Sequence, residues 1–116
     1  MLVQRLVLVI LCTGLVAFGA CAGDSGAGTI KVRAQEMHFT PSTLHVTAGR
    51  HTIVVHDAGT LTHTFSINAL GREVTIHPGQ SRSLTVDLAP GTYRYVCRIL
   101  DHEGLGMHGV LRVSAT

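Results

Sequence analysis

The chain has 116 residues, 46% of them hydrophobic and 14% charged, with three cysteines, eight histidines and a formal net charge of +2. That length leaves room for one small folded domain and excludes a second. Acidic and basic residues are interspersed without a basic run, so composition offers no footing for nucleic acid.

The first segment carries one basic residue, Arg5, and then an apolar run from Leu6 to Ala20 interrupted by Cys12, Thr13 and Gly14. Such a run is short for a bilayer span, and its basic start and small-residue end fit a secretory signal. The end of the run, Phe18-Gly19-Ala20-Cys21, resembles the lipobox of bacterial lipoproteins, with Phe18 where that box usually has Leu. The resemblance implies that Cys21 takes a lipid and becomes the new N-terminus. A plain cleaved signal, leaving Cys21 a free thiol, is the alternative. After it, Ala22-Gly-Asp-Ser-Gly-Ala-Gly28 is small and flexible, as a tether would be. The expected organisation is a lipoprotein-type signal peptide at 1–20, a tether at 21–28 and a folded domain at 29–116. Such a protein is exported to the cell envelope, on the outer side of the cytoplasmic membrane or in the periplasm, and meets the membrane through its N-terminal lipid.

From Thr29 onward the apolar residues recur with a period of two. Ile30, Val32 and Ala34 alternate with Lys31, Arg33 and Gln35, and Leu44, Val46, Ile53 and Val55 continue the pattern. Phe65 and Ile67, Val74 and Ile76, then Leu84, Val86 and Leu88 repeat it, and Val110 to Val113 closes the chain. This is the period of half-buried strands. Ala48-Gly49-Arg50, Asp57-Ala58-Gly59, His77-Pro78-Gly79 and Ala89-Pro90-Gly91 separate the runs as turns. Seven or eight strands so spaced predict an all-β fold, an antiparallel two-sheet Greek-key sandwich.

In the run Pro90-Gly-Thr-Tyr-Arg-Tyr-Val-Cys97, alternation places Tyr93, Tyr95 and Cys97 on the inward face. Cys12 leaves with the signal and Cys21 is the expected lipid site, so Cys97 is left without a disulfide partner in an oxidising compartment. A metal is the occupant that also accounts for histidines nearby. After Cys97 come His102 and Met107, at spacings of five and five in a Gly-containing loop. Thiolate, imidazole and thioether are three members of the ligand set of a trigonal copper site with a weak axial sulfur, which needs a second imidazole. His63 is the candidate, since it starts a strand and shares parity with Phe65 and Ile67.

The whole expected domain resembles the cupredoxin, or type 1 blue copper, family of plastocyanin and azurin. The resemblance is carried by Phe39-Thr-Pro41, Val46-Thr-Ala-Gly49, His63-Thr-Phe65, the strand ending at Cys97, and Met107-His-Gly-Val-Leu-Arg-Val113. The loop spacing is closest to rusticyanin and sulfocyanin. It implies one copper ion cycling between Cu(I) and Cu(II), held by His63, Cys97 and His102 in a plane with Met107 as the long axial ligand. It also implies a monomeric single-electron carrier, not an enzyme, with redox protein partners such as a c-type cytochrome or a terminal oxidase or reductase. Two positions depart from many members: Thr64 stands where Asn is common after the first His, and Ile99 where Pro is common after the Cys.

A copper chaperone or copper-resistance protein, holding the metal with the same ligands and passing it on, is the rival reading. Exposed Met clusters would favour it, and the expected domain has only Met107 and the isolated Met37. Catalytic alternatives lack support: there is no Ser in a nucleophile-elbow context, no phosphate loop, and no second Cys for a two-copper centre. His38, His45, His51, His56, His77 and His108 fall on outward parities or in turns and are expected at the surface. Leu100, Gly104, Leu105 and Gly106 surround His102 in sequence and predict a small apolar rim suited to a brief redox encounter.

Overall fold

The computed structural model describes residues 27–116. The expected signal segment, the lipid site Cys21 and most of the expected tether lie outside the described residues. Nine strands follow in chain order: β1 (Gly28–Gln35), β2 (His38–Thr40), β3 (Thr43–Thr47), β4 (Gly49–Asp57), β5 (His63–Ile67), β6 (Arg72–Ile76), β7 (Ser81–Leu88), β8 (Gly91–Val96) and β9 (His108–Ser114). One sheet runs β2-β1-β4-β7 and the other β3-β9-β8-β5-β6. Pairing is antiparallel except for one parallel pair in each sheet, β1 with β4 and β3 with β9. A period of two reports which face is buried and is silent on strand direction, so these two pairs had no signature in the sequence.

The core is what the alternation foretold. Ile30, Val32, Ile53 and Val55 from one sheet join Phe65, Ile67, Tyr95 and Leu111 from the other in a single buried cluster. Each such side chain contributes about 1.5–3 kcal/mol of burial free energy. Two departures matter for the site. All five residues of β5 are buried, including the outward-parity Thr64 and Ser66. Ser66 donates to the Glu73 carboxylate, which also lies 3.8 Å from the Arg98 guanidinium, so polar side chains roof this part of the strand. Secondly, His51 is buried and not at the surface as expected. It shares parity with Ile53 and Val55, and its Nε2 lies 2.8 Å from the Thr47 carbonyl, which satisfies the ring inside the sandwich.

An aromatic cluster braces the strand that leads to Cys97. The Tyr95 ring stacks on Phe65 at 5.0 Å between centroids and meets Phe39 edge-on at 5.5 Å. Its hydroxyl donates to the Pro41 carbonyl at 2.7 Å. Opposite Tyr95 across β8 and β9 stands Gly109, where an added Cβ would overlap the ring. Glycine is required there because the aromatic ring occupies the space of a side chain.

Candidate metal centre

Three chain segments meet at one end of the sandwich. β5 begins at His63, β8 delivers Cys97 just past its last residue, and the loop 97–107 returns His102 before β9 starts. Backbone bonds fold that loop: Cys97 N donates to the Met107 carbonyl at 3.0 Å, Met107 N to the His102 carbonyl at 3.0 Å, and Leu105 N to the Asp101 carbonyl at 3.0 Å. A five-and-five spacing thereby becomes a closed ring of chain with Cys97 and Met107 held side by side.

His63, Cys97 and His102 each present a ligand atom, and the three atoms lie within 4.8 Å of one another. Nδ1 of His102 is 3.5 Å and Nδ1 of His63 4.0 Å from the Cys97 sulfur, so both imidazoles turn the same nitrogen inward. All three residues are buried, as is Met107. Cys97 is the free cysteine among the described residues. Burial pushes the His63 imidazole below its ordinary pKa, against the opposing pull of Asp57 and in step with the neighbouring His102. A neutral ring has a lone pair to give, which is the form a metal requires. Soft sulfur and borderline nitrogen donors on buried side chains fit copper.

Around the donors, Thr64, the residue that stands where Asn is common, bridges two chain segments. Its N–H donates to the Cys97 sulfur at 3.3 Å, and its hydroxyl, 3.9 Å from that sulfur, accepts from Arg98 N at 2.8 Å. One residue thus ties the His63 strand to the Cys97 segment and directs a backbone dipole at the sulfur. Outside the pocket, Leu100 and Leu105 are 91% and 57% exposed while His102 is 6% exposed, and Leu61 adds to the apolar surface. Leu100 also holds a left-handed backbone, φ 45°. His108, adjoining Met107, faces outward, as alternation requires.

Sequence reasoning passed over two carboxylates. Asp57 is fully buried, with Oδ1 accepting from Gly59 N at 2.9 Å and Oδ2 without a hydrogen-bond partner among the described residues. Its parity with Ile53 and Val55 was the available signal. Glu36, in the turn after β1, reaches across to the segment leading into β5. No local pattern marks it, because it is brought there by the pairing of Ala34 with Asp57.

Three comparisons place this geometry among known proteins. The model of the cupredoxin-like domain family matches residues 6–113. No curated protein matches the sequence. Among solved structures, dithionite-reduced auracyanin from the photosynthetic bacterium Roseiflexus castenholzii superposes with a TM-score of 0.66 at 23% identity, covering 79% of this chain and 99% of that one. Auracyanin B superposes with a TM-score of 0.68 at 22% identity, covering 79% and 92%. At such identities the likeness is one of fold.

Proposed function

Since the chain belongs to the cupredoxin-like domain family and its His-Cys-His cluster is arranged for one copper ion, we propose that it is an extracytoplasmic carrier of single electrons. His63, Cys97, His102 and Met107 would hold the ion. The observation that carries this reading is the convergence of three buried donors within 4.8 Å.

When bound, copper supplies a one-electron couple between Cu(I) and Cu(II). The chain's part is to hold the donors still. His63 sits on a strand paired on both sides, by β6 and β8, and Cys97 and Met107 are joined through the backbone. Ligands so fixed move little between oxidation states, which keeps the rearrangement cost of each transfer low. Thr64 N–H stabilises the thiolate, and the buried pocket excludes water from it. The exposed Leu100 and Leu105 flank the buried His102 in the same loop, and this apolar rim is the contact through which a redox protein exchanges electrons. A c-type cytochrome or a terminal oxidase or reductase suits that role, with the domain held near the membrane by lipid on Cys21.

The test is the visible and paramagnetic resonance spectrum of purified protein with one equivalent of Cu(II). An intense band bleached reversibly by ascorbate, lost in Cys97→Ser and kept with a shifted potential in Met107→Leu, is the expected result. A colourless complex that does not cycle would move the assignment to copper storage or handover. Mass spectrometry of the N-terminal peptide checks the lipid: an unmodified Cys21 in membrane-extracted protein refutes the anchor.

A further inference from the structure

The face of His63 turned away from the pocket is unaccounted for by the ligand set. With Nδ1 directed at Cys97, the proton of the neutral ring belongs on Nε2. That nitrogen is buried and has no hydrogen-bond partner among the described residues. The polar atom facing it is Oε1 of Glu36, 3.9 Å away. The carboxylate is not loosely placed: the same oxygen accepts from Thr60 N, from Leu61 N at 2.8 Å and from the Thr60 hydroxyl at 3.2 Å. Those backbone donors hold its pKa down at about 2, so it stays ionised. Gly59 keeps the space open, because a Cβ there would collide with the Glu36 carboxylate.

We propose that Glu36 is a positioning and tuning residue for the metal centre, a fixed negative charge behind ligand His63 that favours the oxidised form of the site. This rests on the reading of His63 as a ligand. An imidazole bound to Cu(II) carries more positive charge than one bound to Cu(I), and a carboxylate at 3.9 Å from its outer nitrogen stabilises the former more. The segment Gly59–Leu61 serves as the cradle that fixes the carboxylate, and the chain from Glu36 through His63 to Cys97 links a partly exposed acid to the buried site.

Outer partners of metal-bound histidines change metal affinity by about 10–100-fold, and a carboxylate one third exposed belongs at the low end of that range. Glu36→Gln keeps an acceptor for Thr60 and Leu61 and removes only the charge. It should lower the ratio of Cu(II) to Cu(I) affinity by about tenfold, which raises the reduction potential by about 59 mV for one electron. Redox titration of the copper-loaded full chain reads this directly, and Cu(II) competition with a chelator reads the affinity. Gly59→Ala, which displaces the carboxylate without removing it, should shift the potential in the same direction. Both variants should keep the visible band. A change of less than threefold in Glu36→Gln with the band intact, or a shift to lower potential, overturns the role of Glu36 and leaves the ligand assignment standing. A wild-type protein without the band overturns both.

Discussion

Replacing Gly109 by Ala puts a methyl group into the ring of Tyr95, its cross-strand neighbour. The ring has no free direction, since Phe65 stacks on it at 5.0 Å, Phe39 meets it at 5.5 Å, and its hydroxyl is bound to Pro41. One extra methyl in a well-packed core costs about 1–3 kcal/mol, and a ring braced on two sides places this case near the top of that range. Swinging the ring aside also breaks the phenol bond, worth about 1 kcal/mol. The total, about 4 kcal/mol, is a large part of the roughly 5–15 kcal/mol that stabilises a domain. It corresponds to a fall in Tm of about 15–30 °C. Because β8 ends beside Cys97 and β9 begins beside Met107, the same strain reaches both ends of the loop 97–107. Urea unfolding of metal-free protein measures the cost, and a cycle with Tyr95→Leu isolates its cause. In the Leu background the methyl has room, and its penalty should drop to about 1 kcal/mol or less. A penalty below about 1 kcal/mol in the native background, or an equal one in both, refutes the argument.

Thr64→Val keeps the shape of the side chain and removes the acceptor of Arg98 N, so metal-free protein should lose about 1–2 kcal/mol in denaturant unfolding; unchanged stability sinks the bridging role. Leu100 is held at φ 45° while 91% exposed, a conformation glycine adopts freely. Leu100→Gly should therefore gain about 0.5–1 kcal/mol while slowing electron exchange with a redox protein, and a faster exchange would count against the docking rim. Burial raises the Tyr95 phenol from 10.0 to about 12. The neutral form is the one the fold favours, so this contribution to stability is complete below pH 10 and is lost as pH climbs towards 12. Tyr95→Phe should flatten the unfolding free energy over that window, and an unchanged slope would place the alkaline loss elsewhere.

Much of the candidate site could be read along the chain because its parts are local. Cys97, His102 and Met107 share one loop, and the parity of His63 with Phe65 and Ile67 marks it as inward. His51 carries the same parity signal relative to Ile53, and assigning it to the surface overlooked that signal. Glu36 is the opposite case, since nothing in Gln35-Glu36-Met37 distinguishes it from a solvated turn. It meets His63 only because β1 lies parallel to β4, which sets its turn beside Thr60 and Leu61.

By itself the sequence determined the strand periodicity, the inward faces and the donor types with their spacing, all of which follow from side-chain alternation over a few residues. Tertiary structure decided which strands pair and in which direction, that Thr64 joins two segments beside the Cys97 sulfur, that Tyr95 fills the place of a side chain at Gly109, and that an acid stands behind His63. Those contacts join residues far apart in the chain, and their partners are selected by how two whole sheets bury their faces together, a quantity no short window of sequence contains.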